Sequence, residues 1–163
     1  MIFQFGQFEI DVDVNRTREF YKKMENVSKG CNCTGCRNFE KAVDFLPGNV
    51  IGFFDTLGID MKKITEVFVN TTNPDGTVFY GGFYHLCGKL LKGGSAWIEE
   101  PTNTENANLF HWEQSNSYSL CKDFYVSFGN VNALVEKDFP KPVLTLDIQA
   151  NIPWVLNEPN TYS

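Results

Sequence analysis

The sequence predicts an α+β fold: an N-terminal β-hairpin and a cysteine-rich helical segment packed on an antiparallel β-sheet or sandwich, in a single domain over residues 1–163. Three observations predict it. Residues Arg16 to Leu57 carry apolar side chains at helical spacing. From Thr65 onward the apolar period changes to two, the spacing of strands with one face buried. Helices gathered ahead of strands, rather than alternating with them, argue against a parallel sheet. At 163 residues, with 42% hydrophobic and 21% charged residues, the chain can bury a sizeable core.

Ile2 to Phe5 and Phe8 to Val12 alternate around Gly6-Gln7, which predicts a hairpin. Asn15 is the expected cap of a helix from Arg16 to Met24, with Phe20 and Tyr21 inward. Ser28 to Gly30 opens a cysteine loop, and Cys36 starts a helix through Phe39, Ala42, Val43 and Phe45 that Pro47 ends. A further helix runs from Val50 to Leu57 and stops at Gly58. Asp60 caps a short turn over Met61 to Lys63.

Strands are expected at Val67–Asn70 and Thr77–Tyr80, around the turn Asn73-Pro74-Asp75-Gly76. Others follow at 82–90, 96–99, 118–121, 124–128, 133–135 and 143–148. The Gly81-Gly82 and Gly93-Gly94 pairs are expected at bends or turns. Pro101 to Gln114 is polar and Asn-rich, and a mobile loop is expected there.

The strongest chemical signal is Cys31-Asn32-Cys33-Thr34-Gly35-Cys36. Three soft thiolates at such spacing can converge on one small cation, and Zn²⁺ is the ion that favours them. Gly35, just before the second cysteine of C-x-x-C, suits a tight zinc-knuckle turn. His85 is the expected fourth ligand, with Cys87 as its rival. The two are two residues apart on a strand and share a face. Four protein ligands would close the coordination sphere and make the metal architectural. Buried cysteines and a core histidine satisfied by a carbonyl are the plainer alternative. Cys121 is expected in the core.

A thiol-redox use of Cys33 and Cys36 also follows from their position near a helix N-terminus, where thiolate is favoured. A thioredoxin-like site, however, should follow a strand within a βαβ unit. Elsewhere the chain carries none of the short catalytic or phosphate-binding motifs. Asp11/Asp13 and Glu99/Glu100 read more simply as solvated acids. Enzyme status is therefore disfavoured. Phe79, Tyr80, Phe83, Tyr84, Trp97, Trp112, Tyr125 and Trp154 could form a stacking platform for a carbohydrate or small ligand, but alternation assigns most of them to a core. Trp112 is the expected exception.

A net charge of -6 with no basic stripe disfavours nucleic acid. The N-terminus has no basic and apolar leader, and no apolar run is long enough for a bilayer, so a cytoplasmic location away from membranes is expected.

The segment Gly30 to Phe39, with its C-x-C-x-x-C-x-N-F pattern, is joined by Phe45-Leu46-Pro47, Leu57-Gly58-Ile59-Asp60, Tyr80 to His85 and Asn151 to Leu156. Together these resemble a family of small, uncharacterised bacterial proteins, mainly Gram-positive. The resemblance implies a bacterial cytosolic protein and transfers no catalytic residue. By analogy with stand-alone bacterial domains of this size, a toxin-immunity-like role with another protein as partner is expected; an acidic surface suits a basic toxin.

Overall fold

The computed structural model describes residues 1–101 and 109–163. Among the described residues, nine strands and four short helices build an α+β fold, with every strand pairing antiparallel. The hairpin forms as expected, β1 at Ile2–Phe5 and β2 at Phe8–Val12. The helix after it, α1 (Val14–Lys23), begins earlier than expected because Asp13 caps it: its Oδ1 accepts from the Arg16 N–H at 3.0 Å. A single helical turn, α2 (Val27–Gly30), stands where a loop was expected.

The next helix, α3 (Thr34–Ala42), starts two residues before Cys36. It is followed by a 3-10 turn at Val43–Phe45 and by α4 (Gly48–Thr56). Gly58 follows with φ 84°, where a Cβ would sit 2.7 Å from the Val14 carbonyl oxygen. Asp60 caps the Met61–Lys63 turn through the Lys62 N–H.

In the main sheet the path β1-β2-β4-β9-β8-β7 is formed by the hairpin, β4 (Val78–Lys92), β9 (Val143–Ile152), β8 (Phe124–Gly129) and β7 (Tyr118–Cys121). One long strand, β4, replaces the two expected around Gly81-Gly82. Those glycines do not bend it: a Cβ on Gly81 would lie 2.6 Å from Phe68 Cζ, so Gly81 makes room for a ring. Phe68 belongs to β3 (Glu66–Thr72), which covers Val78 to Phe83 on one edge of β4. Strand β2 covers Gly88 to Lys92 on the same edge.

Between them α1 takes the place of a strand. Tyr21 Oη donates to the His85 carbonyl at 3.0 Å, and Thr17 Oγ1 accepts from the Cys87 N–H at 3.0 Å. A backbone edge that a neighbouring strand would have satisfied is thus closed by two helical side chains four residues apart.

Two expectations fail in the second half. Residues 133–135 form no strand; Leu134 has φ 54°, which no β-ladder accepts. Within the expected loop, Leu109–Trp112 is a strand, β6, paired with β5 (Trp97–Glu100) and secured by the Trp97–Trp112 pair at 5.3 Å. The remainder of that loop, 102–108, lies outside the described residues.

Register decides where the core sits. The ladders β4–β9 and β8–β9 pair even with even residues. Val78, Tyr80, Tyr84 and Leu86 therefore share one face with Phe124, Val126, Phe128 and the even residues from Leu144 to Ile152, all at most 2% exposed. The helices cover this face: Phe54 of α4 packs on Tyr84, and Phe39 of α3 on Tyr80. The odd-numbered face meets the β5–β6 hairpin and Phe139. Among the described residues no helix is long and apolar enough to cross a membrane.

Candidate metal centre

Cys31, Cys33 and Cys36 converge. Their sulfur atoms all lie within 4.8 Å of one another, and Cys31 and Cys33 Sγ are 3.4 Å apart. The three could hold a metal ion. The local backbone explains the convergence. Cys31 follows the single turn of α2, its N–H donating to the Val27 carbonyl. Cys33 occupies the N-cap of α3, and its sulfur accepts from the Cys36 N–H at 3.4 Å. One turn into the helix, Cys36 is buried at 4% exposure while the other two are exposed.

The sulfurs are electrostatically unequal. Burial alone would raise the Cys33 thiol, but the Cys36 N–H, the two neighbouring thiols and Tyr162 together bring it down to about 7. Burial pushes the Cys36 thiol well above its usual range, reinforced by Cys31 and Cys33, which would crowd a second negative charge. A bound cation removes this conflict, since it supplies the positive charge three adjacent thiolates lack.

The helix under the cluster is tied down from both sides. Asn38, fully buried, donates to Tyr80 Oη at 3.1 Å and to the Pro153 carbonyl at 3.2 Å, and accepts from the Val155 N–H at 2.7 Å. Tyr80 Oη in turn donates to the Gly35 carbonyl at 2.8 Å. The C-terminal tail straps over the same place. Arg37 makes a bidentate pair with Glu158, and Tyr162 Oη accepts from the Gly35 N–H at 3.2 Å.

Gly35 does not supply the tight turn expected of a zinc knuckle; it lies in the first turn of α3. Its missing side chain makes room instead, since a Cβ there would stand 3.0 Å from both Tyr162 Oη and Val69 Cγ2.

His85 and Cys87 are not brought to the cluster. Both occupy the odd-numbered face of β4, whereas the cysteine helix rests on the even-numbered face through Tyr80. The alternation that made the two equivalent also directs both away. His85 is 1% exposed, its Nδ1 3.4 Å from Thr65 Oγ1 and its ring against Phe83 and Phe139. Burial pulls its imidazole down to about 4, with the Ala133 carbonyl acting the other way, and Nε2 has no partner of good geometry. The ring is neutral at pH 7. The Cys87 sulfur is 3.7 Å from the Lys141 carbonyl, and Cys121, expected in the core, is only partly buried.

Tyr162 and Asn38 shape this centre, and sequence reasoning assigned neither of them to it. Asn38 stands two residues after Cys36 in the C-x-C-x-x-C-x-N-F pattern, the one signal that could have found it; a tyrosine one residue from the end of the chain carries none. Of the expected aromatic platform, Tyr80 and Tyr84 are core, while Trp112 is partly buried against Trp97. Compared with protein-family models, with curated proteins and with solved structures, the chain finds no match.

Proposed function

We propose that this protein is a metal-stapled binding protein, with a zinc ion held by Cys31, Cys33 and Cys36 and another protein as its partner. The observation that carries the reading is the convergence of three sulfurs within 4.8 Å. Zinc–sulfur bonds of about 2.3 Å at a tetrahedral angle place sulfurs roughly 3.8 Å apart, which this loop reaches with little movement. The fourth corner falls to water or to a partner's side chain. An open corner is also what a catalytic zinc keeps, but among the described residues no histidine or carboxylate joins the thiols. The reading is structural because the ion would fix α2 and the start of α3 beneath the tail, where Arg37 and Gly35 already meet Glu158 and Tyr162.

Thiol redox is the second reading, and one observation favours it. Cys33 is exposed with its thiol brought down to about 7, and Cys36 is buried with its thiol raised. That is the order of an attacking and a resolving cysteine. In such a step the two thiols would pass two electrons and two protons to a partner disulfide.

Elemental analysis of protein purified without a histidine tag, paired with thiol titration, separates the two. One zinc per chain, with three thiols protected until a chelator is added and the metal lost in Cys33→Ser, is the expected result. Five reactive thiols and no metal would overturn the staple. A deficit of two thiols without metal would establish the redox reading instead.

A further inference from the structure

On the odd-numbered face of the sheet, away from the cysteines, lies a cavity of about 330 Å³. Its walls are aromatic: Phe83 from β4, Phe68 from β3, Trp97 from β5 and Phe110 from β6. Asp147 of β9 also lines it, directly across the ladder from Phe83. Among the described residues it is the one ionisable side chain in the lining.

A carboxylate in the wall of an aromatic cavity is costly unless a cation meets it. Among the described residues no cation lines the cavity. Burial raises the Asp147 carboxyl to about 7, with Trp97 acting the other way. Phe68 and Phe110, at 42% and 51% exposed, leave apolar ring surface in water where burial would be favoured.

The nearby polar groups are already engaged. Thr145 Oγ1 bonds to the Val131 carbonyl and Asn132 Oδ1, and Ser95 Oγ accepts from the Trp97 N–H. A calcium or magnesium ion, which wants six or more oxygens, finds one carboxylate. A primary ammonium, with three donors to satisfy, is similarly short of acceptors. A methylated ammonium has few or no donors and presents a positive, apolar surface to ring faces.

We propose that this cavity receives a small methylated ammonium ion, its charge met by Asp147 and its methyl groups by the rings of Phe68, Phe83, Trp97 and Phe110. The size fits a small headgroup, at the lower end of ligand cavities. Gly81 contributes by making room for the Phe68 ring, whose Cζ a Cβ there would meet at 2.6 Å. The proposal is independent of the cysteine centre.

Isothermal titration of the full chain with choline and with its neutral carbon isostere, 3,3-dimethylbutan-1-ol, tests it. Choline is expected to bind at least ten times more tightly. Asp147→Asn should erase that preference, and Phe110→Ala, at an exposed ring whose loss leaves the core intact, should weaken choline several-fold. A trimethyllysine peptide is titrated beside them. Should it bind more tightly than choline, the ammonium belongs to a protein side chain; the reverse order assigns it to a free small molecule. Equal affinity for choline and the neutral isostere, or no binding of any of the three, overturns the proposal.

Discussion

Cys33 shows how a single residue acquires its chemistry from neighbours the local sequence does not name. Its position near a helix N-terminus was legible from the apolar spacing that begins at Cys36. The Tyr162 hydroxyl that helps hold its thiol near 7 comes from the other end of the chain. In chelator-treated protein, alkylation of Cys33 is expected to rise through a midpoint near pH 7, because the thiolate is the nucleophile. Tyr162→Phe removes one stabilising donor and should move that midpoint upward; mass-spectrometric rates across pH 5–10 read it, and an unmoved midpoint would deny the hydroxyl any part. Asp147 gives a second residue-scale expectation with a definite sign. Its carboxyl lies at about 7 when folded, against 3.8 ordinarily, so between those pH values the folded state holds a proton the unfolded chain has released. The Asp147 contribution to stability therefore falls as pH rises from about 4 to 7, while that of His85, neutral down to about 4 when folded, rises between about 4 and 6.5 and opposes it. Asp147→Asn should gain on the parent in Tm as pH rises from 4 to 8; a difference between the two that stays constant across that range would contradict it.

At the scale of elements, local signals placed the hairpin, the Asp60 turn and the Asn73–Gly76 turn well, since caps and turns are decided by adjacent residues. They misjudged whatever depended on a partner. Asn15 was expected to cap α1, but the ladder of β2 runs to Val12 and leaves Asp13 at the junction, where it caps the helix instead. Gly81-Gly82 reads as a break until Phe68 is known to lie on it. The joint between α1 and β4 is another such case. Thr17, fully buried, meets the Cys87 N–H with an oxygen that no other group replaces. Thr17→Val keeps the shape and removes the acceptor, leaving a buried N–H unpaired at about 1–3 kcal/mol. Urea unfolding should register that loss, while Thr17→Ser, which keeps the acceptor, should recover most of it. A Val variant as stable as the parent would mean the edge is satisfied in some other way.

Across the whole molecule, one sheet separates two chemistries. The helices, the cysteines and the tail share the even-numbered face; Asp147, the aromatic cavity and His85 share the odd-numbered one. A metal on the first face should therefore support the fold without being its sole support, because the core between helices and sheet is already closed. With free zinc at about 100 times its Kd the ion contributes about 2.7 kcal/mol, on the order of 5–10 °C in Tm for a chain of this length. Adding a chelator to zinc-loaded protein is expected to cost that much in a thermal melt. The C-terminal strap should loosen with it, visible as faster proteolysis after residue 153. A melt indifferent to chelator would leave the cysteines without a structural ion.

By itself the sequence determined the α+β class, the hairpin, most strand positions and the three cysteines that converge, because each rests on periodicity or on spacing within a few residues. Tertiary structure alone decided which face of β4 each side chain serves. Register with β9 sends Tyr80 to the cysteine helix and His85 to the opposite side. It also brought Asn38 and Tyr162 to the cluster, and Asp147 among four rings drawn from four strands. Those contacts join residues up to 127 positions apart. No local pattern encodes them, since they follow from how whole elements pack and pair.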